Sequence, residues 1–300
     1  MQKSDDPLSL RSYLLRYLRE YLYNSGYIEV ETPYLIPAPI PEAHIDSFEV
    51  EDRYLHTSPE AYMKLLLSKG YKRIFQICKV FRKEEKGRFH IPEFTMIEWY
   101  RAEADYMDLM DECERLLIHI FKRLVDRHYI SYRGKKIGLN MPWERISLET
   151  LFNRYSELSL WDALNKGIFE KIMITDIEPH LGWHSPVFVY DYPVELGSCA
   201  MRSRRDPRIV ERFELYMGSI ELANGYTECN DPNELKDRFL EEIKKRQAYK
   251  KPIYSMPEYL LNSLNVKDSY CGIAMGIDRL LMLIADKEDI KDVISFNAWG

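Results

Sequence analysis

Residues 81–100 read FRKEEKGRFHIPEFTMIEWY. The run that leads into it, RIFQICKVFR (73–82), and its own second half, EFTMIEWY (93–100), are apolar, aromatic and β-branched, as strands are. The charged decad between them is too polar to belong to either, so the segment reads as two strands joined by a loop. Counting by twos along 93–100 sends Phe94, Met96, Glu98 and Tyr100 to one face, and Glu93, Thr95, Ile97 and Trp99 to the other. One face therefore carries an aromatic ring, a carboxylate and a phenol in a row. Arg82 ends the partner strand, and Glu84, Arg88 and His90 stand in the loop. A ring that can stack on a base, beside guanidinium groups that can grip phosphate, describes a nucleoside triphosphate site. A solvated hairpin loop with one amphipathic strand accounts for this segment alone equally well.

Outward from this pair, strands and helices alternate without βαβ regularity, which predicts an α+β fold built on an antiparallel sheet flanked by helices. Leu10, Leu14, Leu18 and Leu22 repeat every four residues and predict a helix over 8–25, closed by Gly26 in the left-handed conformation. YIEVETP follows as a short strand, and PYLIPAPIP as an irregular connection. Thr57-Ser58-Pro59-Glu60 opens a helix over AYMKLLLSKG and reads equally as a capping box or as part of a ligand site. Residues 105–130 read as a helix, 187–193 and 211–228 as strands, and 232–249 as a helix. Residues 131–185 are expected as an insertion packed beside the sheet, within one catalytic domain of residues 1–300.

The chain has 300 residues, 46% of them apolar and 30% charged, with a net charge of -6. Such a composition supports a folded core and excludes a broad nucleic-acid footprint. No apolar run is long enough for a membrane span, and no secretory signal opens the chain. Five scattered cysteines without a CxxC argue against a disulfide framework or zinc site. A reducing cytoplasm is the expected setting.

A second constellation is ERFELYMGSIELANGYTE, 211–228. With Met217-Gly218 as a two-residue turn, Glu214 would face Glu221 directly. Two ionised carboxylates about 5 Å apart repel by roughly 3 kcal/mol at an effective dielectric of about 20. A divalent cation between them reverses that sign, and oxygen ligands beside phosphates favour magnesium. A solvent-exposed pair that splays apart is the structural alternative. Asn224, Tyr226 and Glu228 have the other parity, and a bulge at Gly225 would bring them to the same face. Glu228 would then be free to bind a cationic substrate.

A third is CGIAMGIDRLLMLIAD, 271–286, where Gly272 and Gly276 leave room for a ligand and Arg279 falls in a first helical turn. The helix dipole disfavours a cation there, so a phosphate or a nearby acid, with Asp278 adjacent, should compensate.

The order of FRKE with its charged loop and PEF, then ELANG, then GIDR resembles motifs two and three of the class II aminoacyl-tRNA synthetases, in their lysyl branch. YIEVETP resembles motif one, whose proline, here Pro33, lies at the dimer interface in that family. The resemblance runs from about residue 10 to 296. It implies the class II catalytic core, ATP as substrate, magnesium and a homodimer. An anticodon-binding OB domain is not expected. The chain is also similar to the stand-alone lysyl paralogues that attach lysine or (R)-β-lysine to a lysine of elongation factor P. Elongation factor P is thus the implied acceptor, and tRNA is not expected. Ala274, where the tRNA-charging branch usually has glycine, fits the elongation factor P branch instead. DYPVELGSCA (191–200) reads closer to the tRNA-charging one.

Carried over by position, the resemblance makes Arg82 and Arg279 catalytic. Arg82 would bind the α-phosphate, His90 and Arg279 the outer phosphate, Glu84 and Phe94 the adenine. Leu222 and Gly276 would also line the ATP site. Glu214 and Glu221 would hold magnesium. Ser58, Glu60, Glu98, Tyr100, Asn224, Tyr226 and Ala274 would surround the amino acid, with Glu228 on its ε-ammonium. Ile91 and Lys83 depart from the usual asparagines of the motif two loop. Two other activities stay open: a truncated lysyl-tRNA synthetase charging tRNA or a small molecule, and a non-catalytic regulatory paralogue. The basic run MRSRRDPR (201–208) could meet RNA phosphates or an acidic protein equally.

Overall fold

The computed structural model describes residues 6–125, 127–264 and 269–299. Helix α1 (Pro7–Asn24) starts where Asp6 accepts a hydrogen bond from the Ser9 amide, and it has a proline in its first turn. Its four spaced leucines are buried, and Gly26 follows with φ +79°. Strand β1 (Ile28–Glu29) is short. A small sheet of β2 (Leu35–Ile36), β3 (Glu49–Val50) and β4 (Arg53–Leu55) leads to α2 (Glu60–Ser68). The long pair β5 (Arg73–Phe81) and β6 (Glu93–Ala102) brackets the charged loop. Helix α3 (Tyr106–Leu124) begins with a reciprocal Asp105–Asp108 capping box.

Beyond it lie the hairpin β7 (Tyr129–Tyr132) and β8 (Lys135–Gly138), then β9 (Glu144–Ser147). Three short helices follow: α4 (Leu148–Tyr155), α5 (Leu160–Asn165) and α6 (Phe169–Ile172). Strands β10 (Val187–Pro193), β11 (Ile209–Met217) and β12 (Ile220–Thr227) precede α7 (Pro232–Ala248) and α8 (Glu258–Leu261). Strand β13 (Tyr270–Gly276) runs straight into α9 (Ile277–Ile284).

The main sheet has eight strands in the order β1-β5-β6-β13-β12-β11-β10-β9. Its interior pairings are antiparallel, as expected, and its two outer pairings, β1 with β5 and β9 with β10, are parallel. Parallel neighbours need a crossover, and the chain supplies one each time: the small sheet with α2, then α4 to α6. Residues 131–185 therefore do more than pack beside the sheet, because β9 is its edge strand. Helices α1, α3 and α9 cover one face, where Ile97 and Trp99 are fully buried among the leucines of α1. Removing one such leucine to alanine costs about 2–5 kcal/mol. The other face carries Glu98 and Tyr100 and forms the floor of the site. Among the described residues, no helix is long and apolar enough to cross a membrane.

Candidate active site

The floor is set by strand register. Glu98, Ala274, Asn224 and Glu214 stand side by side on β6, β13, β12 and β11. The next row on the same face reads Tyr100, Gly272, Tyr226 and Arg212. The middle strand contributes only small residues to both rows, so the floor is a trough with polar walls. A Cβ at Gly272 would lie 2.3 Å from the Tyr100 ring and 2.8 Å from Glu228 Oε1. That close approach is why glycine stands there.

The β11–β12 hairpin differs from expectation by one residue. Its turn residues are Gly218 (φ +59°) and Ser219 (φ +63°), a left-handed pair that matches the twist of the flanking strands. Met217 therefore pairs with Ile220 and Tyr216 with Glu221, so Glu214 and Glu221 are not directly opposed. A bulge then skips Leu222, and Glu214 pairs with Asn224. The expected shift of parity is real, but it lies at Leu222 and not at Gly225. Gly225 pairs regularly, and a Cβ on it would meet the Phe213 ring at 2.7 Å. The bulge leaves Glu214, Glu221, Asn224 and Tyr226 on one face.

Two hollows, of about 340 and 360 Å³, meet over this floor. Ser58, Glu60, Glu98, Tyr100 and Tyr226 line the first. His90, Phe94, Glu214, Glu221, Leu222, Gly276 and Arg279 line the second, as does Ile91. Arg82, Asn224 and Ala274 line both. Two expected residues line neither. Glu84 is exposed at φ +67°, and the neighbouring Glu85 faces the second hollow instead, 3.4 Å from Arg82. Glu228 lies behind the first hollow, buried against Lys64.

The carboxylates of the first hollow are built into a network. Ser58 does not complete a capping box. Its hydroxyl accepts from the Glu60 amide at 3.0 Å and donates to Glu98 at 2.6 Å, while Pro59 holds the cap position of α2. Tyr100 also donates to Glu98, at 3.1 Å. Burial pushes the Glu98 carboxyl up to about 8, and the charge of Glu60 adds to this. Lys64, only 3% exposed, was not singled out from the sequence. Its ammonium sits 2.6 Å from Glu60 and 2.7 Å from Glu228. Its position four residues after Glu60 on one helix was the available signal.

Tyr226 donates to Glu60 at 2.6 Å. Burial works against the charge of Glu60, but Lys64 outweighs it and holds that carboxyl below the usual range. Glu228 goes the other way. Burial pushes it up to about 8 against the pull of Lys64. Its carboxylate lies 2.7 Å from the Lys64 ammonium.

In the second hollow, Arg279 donates to the Glu221 carbonyl at 2.8 Å and lies 3.3 Å from the Glu221 carboxylate. It also donates to His90 at 2.6 Å. Burial, with Arg279 beside it, lowers His90 and so favours the neutral ring that can accept this bond. Asp278 does not compensate Arg279. It is buried beneath the sheet, paired with Arg11 and bonded to the Thr95 amide. The Arg82 guanidinium lies 5.3 Å from the centre of the Phe94 ring.

Glu214 accepts from Arg212, Tyr192 and Tyr216, each at 2.7 Å. One lone pair of its Oε1 stays open. Burial raises Glu214, and the charge of Glu221 raises it further. Burial, with both of these carboxylates adding, pushes Glu178 up to about 7. Negative charge is therefore in excess here, and a divalent cation fits. Among the described residues, no three metal-ligating side chains gather at one point. Glu214 and Glu221 would thus share the ion with phosphate oxygens.

A family model described as tRNA synthetases class II (D, K and N) matches residues 1–299. The chain belongs to the class II tRNA synthetase family. This synthetase-family chain is 34% identical to the elongation factor P–(R)-β-lysine ligase of Salmonella arizonae, across 95% of its own length and 93% of that protein. It is 33% identical to the corresponding ligase of Erwinia tasmaniensis, with the same coverage of each. It is 33% identical to the lysine–tRNA ligase of Carboxydothermus hydrogenoformans, across 96% of its own length. There it spans just under two thirds of the relative, 64%. Identity therefore does not separate the two kinds of relative.

Proposed function

We propose that this chain is an ATP-dependent ligase that activates lysine or (R)-β-lysine as an aminoacyl-adenylate and transfers it to a lysine side chain of elongation factor P. The observation that carries this is the junction of the two hollows at Arg82. One hollow is walled by carboxylates that suit an amino acid with a distal ammonium. The other offers Phe94, His90 and Arg279 to a nucleotide. A carboxylate held in the first faces an α-phosphate held in the second.

The substrate carboxylate oxygen attacks the α-phosphorus, the bond to the bridging oxygen breaks, and pyrophosphate leaves. Arg82 offsets the charge that builds on the α-phosphoryl oxygens, and Arg279 holds the outer phosphate. Rate comes from positioning and electrostatics, with no covalent bond to the protein. A divalent cation on Glu214 and Glu221, magnesium in this proposal, would offset the triphosphate charge. The neutral amine of the acceptor lysine then attacks the mixed anhydride, forming an amide and releasing AMP. In this proposal Phe94 carries the adenine, and Glu228 shares its negative charge between Lys64 and the distal ammonium.

The names of two of the relatives support elongation factor P as acceptor, and Ala274 at the floor of both hollows bears on the amino acid. Its methyl takes volume beside the substrate backbone, which can favour a β-amino acid by about 1–3 kcal/mol. The lysine–tRNA ligases among the relatives keep tRNA charging as the second activity. The proposal includes a homodimer through the surface around Pro33, where Ile28, Tyr34 and Leu35 are exposed. It also includes a cytoplasmic setting, with which five buried free thiols accord.

The test is ATP–pyrophosphate exchange with L-lysine and (R)-β-lysine in parallel, with Glu228→Ala as control. Transfer to elongation factor P and to tRNA is then compared. Exchange lost in the variant, followed by transfer to the protein alone, is expected. Exchange with neither amino acid would sink the activity, and transfer to tRNA alone would replace the acceptor.

A further inference from the structure

The segment between β2 and β3 brings a carboxylate to the seam that the sequence did not flag. Glu42 lines both hollows, beside Arg82, Arg212, Asn224 and Ala274. Its backbone is held rigidly. Arg246, fully buried, donates to the carbonyls of Glu42 (2.7 Å) and Ile45 (2.8 Å) and to the Asp46 carboxylate (2.5 Å). The Ala43 amide donates to Glu242 at 2.7 Å. No described residue donates a hydrogen bond to the Glu42 carboxylate itself. Burial pushes it up to about 7, opposed by Arg82 and Arg212 and reinforced by Glu60 and Glu242.

Two other carboxylates of the first hollow are already partnered. Glu60 is taken by Lys64 and Tyr226, and Glu98 by Ser58 and Tyr100. Both line the first hollow only, whereas Glu42 lines both. A carboxylate that reacts at the seam carries its nearer amino group only one or two carbons away, so that group also lies at the seam. An ammonium held there needs an anion within hydrogen-bond reach.

We propose that Glu42 binds the amino group nearest the reacting carboxylate and, through its fixed position, discriminates an α-amino from a β-amino acid. This rests on the proposed amino-acid activation. The geometry makes Glu42 a specificity residue distinct from Glu228, which serves the distal ammonium.

The experiment compares wild type with Glu42→Gln on L-lysine, (R)-β-lysine and 6-aminohexanoate, which lacks the nearer amino group. Both exchange kinetics and calorimetric binding are read. Glu42→Gln keeps the side-chain shape, and the backbone clamp through Arg246 does not involve the carboxylate, so circular dichroism and melting should match wild type. The expected result is a KM and Kd raised about tenfold or more for the two diamino acids, with 6-aminohexanoate changed less than about twofold. Glu42→Asp should alter the ratio between the two diamino acids. Equal losses on all three ligands, or no loss on any, would overturn the assignment. If wild type binds the diamino acids but exchanges with none, activation fails while selective weakening in Glu42→Gln still upholds the site. If wild type binds none of the three, the assignment fails with it.

Discussion

Lys64 holds its ammonium 2.7 Å from the Glu228 carboxylate, so the protein's own lysine occupies the carboxylate expected to receive a substrate's ammonium. The pair is buried, and Glu60 completes it from the other side at 2.6 Å. One internal cation thus serves two carboxylates, and the deep end of the hollow keeps an unspent demand for positive charge. A substrate ammonium arriving at Glu228 would share that anion with Lys64.

Lys64→Met should destabilise the fold, because it leaves two buried carboxylates without their cation. Breaking a buried pair from one side costs about 3–5 kcal/mol. The loss should be larger at pH 8 than at pH 6, where protonation of Glu228 relieves part of the repulsion. Urea unfolding at the two pH values checks this, and a pH-independent loss would mean that only packing had been removed.

Glu98 and Glu228 are both pushed up to about 8, chiefly by burial. An unfolded glutamate titrates near about 4.3. Between these values the unfolded chain holds fewer protons than the folded one, so stability should fall as pH rises through this window. A cationic substrate favours the ionised carboxylates, so its binding should release protons and tighten from pH 6 to pH 8. The gain is at most about tenfold per pH unit for each proton released. Calorimetry in buffers of different ionisation enthalpy measures that release directly.

Gly272→Ala and Gly276→Ala should behave differently. The first puts a methyl into the Tyr100 ring, at a cost of about 1–3 kcal/mol, and displaces Glu228. The second meets nothing nearer than the Arg279 side chain at 3.7 Å and should leave the melting temperature nearly unchanged. Thermal melts of the two variants, with and without lysine, check the contrast.

Arg246→Met should cost about 3–5 kcal/mol, because Asp46 then keeps only Lys251, 2.9 Å away. The segment 42–46 should also become a site of early proteolysis. Cleavage elsewhere first would show that the clamp is not what orders this segment.

Much was legible because it is written in short-range periodicity. The four leucines of α1 recur at one-turn spacing, so their burial follows from the helix itself. The alternation in EFTMIEWY sends Glu98 and Tyr100 away from Trp99 whatever the strand pairs with. The order of the three motifs along the chain carries the family resemblance. Other features could not be read this way. The turn at Gly218-Ser219 and the bulge at Leu222 shift pairing by single residues, and such shifts depend on backbone angles and on the neighbouring strand β13. The partner of a charge is equally a matter of the assembled fold. Asp278 pairs with Arg11 from the far end of the chain and leaves Arg279 to Glu221. Lys64 meets Glu228, and Glu42 reaches the seam only because Arg246 holds its loop there. Local periodicity and residue chemistry specify the element types, the faces and the residue kinds of the site. Which buried charges neutralise one another, and which stay open for a ligand, follows from the assembled fold, because burial makes a partner obligatory and long-range packing selects it.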